Sequence, residues 1–451
     1  MSSAPAPHVA IVGAGPCGLA CGRELALQGH DDWAIYEREP VAGGHAGSIL
    51  DPAGFTWDQG GHVVFSHYGE FDRLLDEVLG EDVHEHERSS YVLLGDTWVP
   101  YPFQNNLRHL GPEDAYDCLL GLIDAPGADG AVDFATWMER TFGSGITERF
   151  MRPYNTKVWA VPPEEMSASW IAERVSVVDY KRALRNVLLQ VDDAGWGPNN
   201  TFRFPRTGGT GEIYRRLADR LAPRVHYEAE VVEVDAEARA LRLADGRTES
   251  YDVLVSTMPL DLLVAAIADC PAAVRGAAEA LEHNGVWVVG VGLELPLRDQ
   301  RSWLYFADPE VPFYRATNFA KYAAANVPGA DTERYSAYMT ETAHSTRLPR
   351  TREGHEDDVV SALVSTGLVP EAPPIASVHS IDVEYAYPIP TRDRDAALAV
   401  VQPWLMERSI YSRGRFGSWR YEIGNMDHAA KMGIDVARHV LEGRPEEVWA
   451  P

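Results

Sequence analysis

The chain has 451 residues, of which 45% are hydrophobic and 24% charged, as in a water-soluble globular protein of two or three domains. Its 67 acidic residues against 40 lysines and arginines give a formal charge of −27, which argues against nucleic acid or an anionic membrane as a partner. The four cysteines lack metal-ligand spacing, and we find neither a signal peptide nor an apolar run of about 18 residues, so we expect a cytoplasmic protein without a bound metal.

Residues 8–37 predict a dinucleotide-binding unit. A short apolar strand, HVAIV, is followed by Gly13, Gly15 and Gly18 in the spacing G-x-G-x-x-G. This spacing permits a tight turn, lets backbone amides approach a pyrophosphate, and allows the next helix to pack closely on the strand. A second strand, WAIYE, ends at Glu37, where an acidic side chain can bind a ribose hydroxyl. The strand, the helix, the second strand and the acid together indicate dinucleotide binding.

Two further glycine pairs follow, Gly43-Gly44 and Gly60-Gly61, and they flank a predicted hairpin. A second glycine-rich approach so soon after the first favours FAD over NAD, because the longer flavin ligand passes over more backbone. His62 directly follows the second pair and could lie beside the isoalloxazine. On spacing alone, a histidine whose ring is satisfied by loop carbonyls is an equally good interpretation.

The next segment combines a helical stretch at 70–80 with a hairpin that ends in an aromatic and amide-rich sequence. Tyr101, Phe103 and Gln104 lie in this ending. Aromatic rings can stack on bases, and neighbouring amides can read a base edge. Without further context, a hydrophobic strand end capped by a polar loop explains the same residues.

The rest of the chain alternates between helical and strand patterns. Residues 112–193 have amphipathic helical periodicity, and the strand at 252–257 is expected to rejoin the parallel sheet. Strands dominate 285–387 and predict an antiparallel sheet. The expected fold class is therefore α/β: a discontinuous Rossmann-like FAD-binding domain with a helical insertion domain and an antiparallel β-sheet substrate domain. The expected boundaries are 1–105, 206–284 and 406–451 for the FAD-binding domain, 106–205 for the helical domain, and 285–405 for the antiparallel sheet.

The longest motifs resemble those of a known family. WVPYPFQNN begins at Trp98 and SRGRFGSWRYEIGN begins at Ser412. Together with GAGPCGLA, GGHVVFSHY, FMRPYNTKVWAVP, WGPNNTFRFP and PFYRAT, they extend over nearly the whole chain. By these motifs the sequence is similar to the flavin-dependent UDP-galactopyranose mutases, in particular their eukaryotic-type branch. The glycine motif alone is shared with amine oxidases and other flavoproteins and does not separate these classes.

The resemblance implies substrate-binding roles for individual residues. Phe103 and Gln104 match the family segment that stacks on and reads the uracil, and Tyr101, Asn155 and Trp159 are implied to line the same nucleotide slot. Those implied to bind the diphosphate are Tyr305, Arg315, Tyr322, Tyr387 and Tyr421. Arg174 and Arg415 match the pair that bridges diphosphate, sugar and flavin, Asn199 matches a sugar contact, and His62 matches the histidine beside the flavin.

The resemblance also implies the residues that contact FAD. These are Gly13, Gly15, Gly18, Glu37, Gly43, Gly44, Gly61, Asn425 and Met426. The last two begin the C-terminal helix, whose positive end can face the pyrimidine ring of a flavin, where negative charge accumulates on reduction. Two positions depart from the family pattern: Met426 stands where fungal relatives carry glutamine, and His45 replaces an apolar residue.

The activity implied by the resemblance is a ring contraction without net oxidation, which interconverts UDP-galactopyranose and UDP-galactofuranose. N5 of the reduced flavin attacks the anomeric carbon and expels the nucleoside diphosphate, and the sugar then opens to an iminium and recloses through its 4-hydroxyl. Arginine side chains stabilise the departing diphosphate because their planar guanidinium groups can contact two phosphate oxygens. NADPH or NADH is expected as a transient reductant, a small-molecule nucleotide sugar as the substrate, and a monomer or dimer as the assembly.

Other functions remain open at this point. The same chemistry could act on dTDP-fucopyranose or a GDP-hexose, since one small group on a substrate rarely changes discrimination by more than about 1 to 3 kcal/mol. A flavin amine oxidase would use the same cofactor fold but would need an apolar substrate cage. A non-enzymatic binding protein that resembles the GTPase dissociation inhibitors would bind no flavin.

Overall fold

A computed structural model describes residues 7–171, 175–194 and 200–449. The helices are α1 (Pro16–Leu27), α2 (Gly69–Leu79), α3 (Pro112–Asp124), α4 (Phe134–Ile146), α5 (Arg152–Trp159), α6 (Tyr180–Leu189), α7 (Gly211–Leu221), α8 (Leu260–Ala266), α9 (Ala272–Glu279), α10 (His355–Ser365), α11 (Arg394–Met406) and α12 (Met426–Glu442). The strands are β1 (Val9–Val12), β2 (Trp33–Tyr36), β3 (Ser48–Leu50), β4 (Thr56–Asp58), β5 (Val83–Glu87), β6 (Ser90–Leu94), β7 (Thr97–Pro100), β8 (Thr201–Pro205), β9 (Val225–His226), β10 (Val231–Asp235), β11 (Ala240–Leu243), β12 (Thr248–Ser250), β13 (Val253–Ser256), β14 (His283–Leu293), β15 (Trp303–Phe306), β16 (Arg315–Asn318), β17 (Ser336–His344), β18 (Ile375–Pro388) and β19 (Ile410–Ser412).

A five-stranded parallel sheet holds the nucleotide-binding part of the fold. Its strand order is β19-β13-β1-β2-β9, and every neighbouring pair is parallel. The predicted return of the chain at β13 is confirmed, with Ile11 paired to Val255. The sequence does not predict the C-terminal strand β19, because three residues are too few to show a period. The chain thus enters this sheet from three separated segments, as a discontinuous FAD-binding domain requires.

The second large sheet has seven strands, in the order β18-β14-β17-β16-β15-β6-β7. The antiparallel core was predicted from residues 285–387, but the structure adds the β6–β7 hairpin from much earlier in the chain. The first strand of this hairpin, β6, pairs in parallel with β15, and Val92 of β6 lies opposite Tyr305 of β15. Sequence patterns alone did not indicate this pairing, because it joins segments about 200 residues apart. The pairing places Tyr101, just after β7, beside Tyr305.

The helices α3 to α6 form the predicted insertion beside this sheet. Asp133 caps α4, and its carboxylate accepts a hydrogen bond from the backbone N–H of Thr136 (2.7 Å). Gly143 has a φ of +69°, and a Cβ there would lie 2.4 Å from the Gly121 carbonyl, so this kink lets α3 and α4 approach closely. Within the described ranges, no helix has both the length and the apolar composition to cross a membrane.

Candidate active site

The first glycine motif forms a backbone-lined cradle at the carboxyl end of β1. Gly13 has a φ of +101°, and a Cβ there would lie 2.1 Å from Thr257 Oγ1. A Cβ on Gly18 would lie 1.9 Å from the carbonyl oxygen of Gly13. Pro16 begins α1, so the positive end of this helix faces the cradle. Positions 13 and 18 therefore require glycine, and the exposed amides suit a pyrophosphate.

The second glycine pair closes the same cradle. The backbone N–H of Gly43 donates to Ala14 O at 2.9 Å. A Cβ placed on Gly15 would lie 3.9 Å from the Cα of Gly44, so the two glycine segments run next to each other. The adjacency expected for a ligand longer than a single nucleotide is thus present.

Glu37 lies at the end of β2, where the sequence predicted a ribose contact. Its Oε2 accepts from the backbone N–H of Ala14 (2.6 Å) and its Oε1 from that of Glu39 (2.9 Å). Burial raises the pKa of this carboxyl, and the two backbone donors oppose that rise. Because a carboxylate has acceptor sites beyond these two bonds, Glu37 can still bind a ribose hydroxyl.

His62 lies in the loop that follows Gly60-Gly61. Burial lowers the pKa of His62 to about 4, so the imidazole is neutral near pH 7. Its Nδ1 is buried and has no hydrogen-bond partner among the described residues. The neighbouring His45 is also neutral, because burial lowers its pKa to about 3. An unpartnered nitrogen next to the glycine cradle fits a bound flavin, whose polar ring atoms could supply the missing partner.

Arg315, at the start of β16 in the seven-stranded sheet, is held by a buried carboxylate that the sequence does not predict. Its Nε donates to Glu341 Oε1 at 2.6 Å, and its Nη2 donates to Glu341 Oε2. Tyr314 donates to the same Oε2 (2.8 Å), and Gly61 N–H donates to Oε1 (2.9 Å). Burial alone would raise the pKa of Glu341, but the Arg315 charge and these hydrogen bonds hold it below its usual value. Glu341 therefore connects the loop that carries His62 to the predicted diphosphate ligand.

Arg415 is held in a different way. Its guanidinium donates to Ala386 O through two nitrogens (3.1 and 3.0 Å) and to Gly424 O (3.0 Å). It also lies over the rings of Tyr387 and Tyr421, 4.9 and 5.6 Å from their centroids. Backbone carbonyls thus fix the orientation of this guanidinium group.

The predicted nucleotide residues lie where the helical insertion meets the sheet. Phe103 is fully buried, with its ring centroid 5.1 Å from that of Phe150. Gln104 donates through Nε2 to Ser176 O, and its buried Oε1 has no partner among the described residues. Asn155 Nδ2 donates to the carbonyl four residues earlier, at 2.7 Å. The unpartnered amide oxygen of Gln104 is the group best suited to read a base edge.

Aromatic rings connect these residues to the predicted diphosphate ligands. The centroids of Tyr101 and Tyr305 are 4.9 Å apart, and those of Trp159 and Tyr421 are 4.8 Å apart. Tyr387 lies 5.8 Å from Trp159. The structure thus brings these five predicted residues into one aromatic lining.

Tyr322 lies among phenylalanines. Its ring centroid is 5.1 Å from Phe202 and 5.2 Å from Phe204. Its hydroxyl is buried and has no partner in the ranges that the structure describes. Such a hydroxyl can donate to an incoming anion.

Two groups of predicted residues and one group of unpredicted residues complete the comparison with the sequence. Asn425 precedes α12 and Met426 begins it, as predicted, and α12 packs tightly on α1, since a Cβ on Gly433 would lie 2.1 Å from Cys17 O. Arg174 and Asn199 lie outside the described residues. Four residues were missed: Glu341, Tyr314, Tyr154 and Arg88. Only Glu341 gives a signal in the sequence, as the single acidic residue of strand β17.

Arg88 and Tyr154 join the lining from elements not expected there. Arg88 donates to the Tyr305 hydroxyl (2.8 Å) and lies 4.6 Å from the Trp303 ring centroid. Tyr154 lies edge-on to Tyr305, with centroids 5.3 Å apart. Both contacts depend on how the hairpin and α5 dock on the sheet, so no local pattern reveals them.

A protein family and several solved structures share this architecture. The family model of flavin-containing amine oxidoreductases matches residues 16–441. A crystal structure of reduced UDP-galactopyranose mutase superposes with a TM-score of 0.95 and 37% identity, covering 99% of this chain and 96% of that one. A putative protoporphyrinogen oxidase from Exiguobacterium sp. 255-15 shares the fold at a TM-score of 0.73 and 14% identity, covering 97% of this chain and 99% of that one.

Matches among curated sequences are much shorter. A zeta-carotene desaturase from Zea mays is 39% identical over 96 residues, which is 21% of this chain and 16% of that protein. A match of this length reports a shared segment and not a shared activity. The matched family and the whole-length structural neighbour, together with the glycine cradle described above, show that the chain belongs to the flavin-containing amine oxidoreductase family and, within it, to the UDP-galactopyranose mutases.

Proposed function

We propose that the protein is an FAD-dependent nucleotide-sugar mutase that interconverts UDP-galactopyranose and UDP-galactofuranose. One observation carries this proposal: Tyr387 lies between two guanidinium groups. Its ring is 4.9 Å from Arg415, and its hydroxyl is 3.2 Å from that of Tyr314, which donates to the carboxylate that binds Arg315. Two arginines and two tyrosine hydroxyls next to a flavin cradle suit a diphosphate beside the cofactor. The apolar cage that an amine oxidase needs would not place guanidinium groups and tyrosine hydroxyls there.

The arginines would act on the departing group. Cleavage of the bond between sugar and diphosphate adds negative charge to the phosphate oxygens, and preorganised guanidinium groups stabilise such charge without reorganising. Arg415 is preorganised by carbonyls and Arg315 by Glu341. The departing diphosphate would therefore remain bound and could return to the same anomeric carbon.

The residues of the chain also fit the cofactor. The glycine cradle would bind the pyrophosphate of FAD, Glu37 the ribose, and His62 would lie against the flavin ring. When bound and reduced, the flavin supplies the N5 nucleophile for the anomeric carbon. His62 would be neutral in this position, and the N-terminus of α12 would favour negative charge on the pyrimidine ring.

The proposal extends to the surroundings of the reaction. We expect NADPH or NADH as the transient reductant, a monomer or dimer as the assembly, and the cytoplasm as the compartment. The four cysteines form no disulfide, and burial raises the pKa of the Cys17 thiol to about 12, so this thiol is inert and suits a reducing environment.

The test is a substrate panel. The holoprotein, reduced anaerobically with dithionite, is incubated separately with UDP-galactofuranose, dTDP-fucopyranose and a GDP-hexose, and the products are separated chromatographically. We expect conversion of UDP-galactofuranose to UDP-galactopyranose and no conversion by the oxidised holoprotein. Conversion of another nucleotide sugar alone would correct the substrate. Hydrogen peroxide formation with an amine, without any sugar conversion, would overturn the proposal in favour of an oxidase.

A further inference from the structure

A cluster of two imidazoles and one carboxylate lies where the loop after Gly60-Gly61 meets the start of α12. His67 comes from the end of this loop, and Asp427 and His428 are in the first turn of the helix. Nδ1 of His67 is 2.7 Å from Asp427 Oδ2, and Nδ1 of His428 is 3.0 Å from Asp427 Oδ1. One potential ligand atom from each residue lies within 4.8 Å of the others.

The ligand set and its spacing suit a transition metal. Two imidazole nitrogens and a carboxylate are ligands that Zn²⁺, Co²⁺ and Ni²⁺ accept. Bonds of about 2.1 Å place neighbouring ligand atoms of a tetrahedral site about 3.4 Å apart. In the cluster the two imidazoles lie 2.7 and 3.0 Å from Asp427, and the ligand atoms are all within 4.8 Å of one another. Small rotations of the two rings would therefore bring all three groups onto one cation.

Burial and charge favour the same interpretation. The Asp427 side chain is 1% exposed, whereas that of His67 is 31% exposed, so the cluster has a buried anionic base and an open side. The positive end of α12 opposes a cation here, and the carboxylate is needed to offset it.

A second observation points to a ligand at this place. Tyr214, on α7, is fully buried, and its hydroxyl has no hydrogen-bond partner among the described residues. Tyr214 belongs to the buried cluster against which Tyr68 and Met426 pack, and these two residues are the chain neighbours of His67 and Asp427. A water bound to a cation in the cluster could donate a hydrogen bond to the oxygen of Tyr214.

We propose that His67, Asp427 and His428 bind a divalent transition-metal cation that fastens the loop carrying His62 to the start of α12. The predicted flavin contacts Gly61, His62, Asn425 and Met426 lie on the two segments that the cation would join. The cation would act on the shape of the cofactor site and not on the substrate. This inference does not depend on which nucleotide sugar is converted.

The test uses Zn²⁺ as the probe and untagged holoprotein that has been treated with a chelator. Isothermal titration of the wild type should show one saturable site, and Zn²⁺ should raise the melting temperature. His67→Asn and His428→Asn should each weaken binding at least about tenfold. Asp427→Asn should weaken it most, because it removes the charge that offsets the helix. The matched control is His84→Asn. His84 and His86 form another histidine pair, on β5, with ring centroids 5.7 Å apart, and this substitution should leave Zn²⁺ binding unchanged.

The outcomes separate clearly. Absence of a saturable Zn²⁺ site in the wild type would overturn the proposal, as would equal binding by the wild type and both histidine variants. If those variants do not fold, X-ray absorption at the zinc edge of the wild-type protein decides. Two imidazoles in the coordination shell support the site, and any other shell contradicts it. Because no readout involves sugar conversion, failure here leaves the proposed mutase activity untouched.

Discussion

The two walls of the candidate active site are built in different ways. The cofactor wall consists mainly of backbone, and its glycines and terminal acid lie within the first 61 residues. The substrate wall consists of side chains from the segment after β7, from α5, from β15 to β18 and from the segment before α12. The cofactor wall is therefore defined by the space that its glycines leave open, and the substrate wall by charge and aromatic contacts that only the folded sheet creates.

Buried carboxylates show the same contrast. Asp58, next to the cradle, is fully buried and accepts from Ser48 Oγ and Thr210 Oγ1, at 2.5 and 2.9 Å, and burial raises its pKa to about 7. Glu341 is equally buried, but Arg315 holds its pKa low. A substitution in the cofactor wall should thus affect binding of the flavin, and one in the substrate wall should affect turnover with the flavin in place.

The largest effect is expected at Gly18. In Gly18→Val, a side chain would collide with the Gly13 carbonyl 1.9 Å away, and the turn that binds the pyrophosphate could not form. We expect complete loss of bound flavin, measured as visible absorbance per protein. Gly276→Ala is the control, because a Cβ there meets no atom within 4 Å. A Gly18→Val protein that is as yellow as the wild type would show that this cradle does not hold the flavin.

The next largest effect is expected at Arg415. Arg415→Ala should keep its flavin and lower kcat about 10²- to 10³-fold, the range for loss of one preorganised group that stabilises transition-state charge. Arg415→Lys should restore little, because an ammonium cannot bridge Ala386 O and Gly424 O with a planar fork. Steady-state kinetics on reduced protein measure both variants. Unchanged kcat in Arg415→Ala would remove this residue from the mechanism.

Glu341→Gln should show a smaller effect that reaches both walls. Glutamine keeps the shape but removes the charge opposite buried Arg315, which should lower the free energy of unfolding by about 2 kcal/mol. It should also raise KM, because Arg315 loses its anchor. Urea unfolding and kinetics measure these changes. Glu233→Gln is the control: its pair with Arg242 is exposed and should contribute less than about 1 kcal/mol. Equal destabilisation by both variants would contradict a special role for the buried pair.

The smallest effect concerns pH and Asp58. Its pKa in the folded protein, about 7, lies above the ordinary value of 3.8. The protonated form is thus favoured by folding, and this stability is full at low pH and is lost as pH rises from about 4 to about 7. Asp58→Asn should flatten this dependence, so its melting temperature should fall less than that of the wild type between these pH values. Parallel curves for the two proteins would show that Asp58 does not titrate in this range.

The same contrast between the walls explains what the sequence could reveal. The motif from Gly13 to Glu37 was predicted because its spacing is local and each residue type has a steric or chemical reason. Glu341 escaped prediction because its partner Arg315 lies opposite it only through the register of β16 and β17. For Phe103 and Gln104, local chemistry left two interpretations open, and family resemblance chose between them. Long-range strand pairing is therefore the information that single-sequence reasoning lacked.

The central claim is that the protein breaks and re-forms the bond between the sugar and the diphosphate only when its flavin is reduced. The direct measurement is positional isotope exchange, with a heavy oxygen placed in UDP-galactopyranose between the anomeric carbon and the phosphorus. We predict that the label moves to non-bridging phosphate positions with reduced holoprotein and stays in place with oxidised holoprotein. A label that stays in place under both conditions, or moves equally in both, would contradict the account.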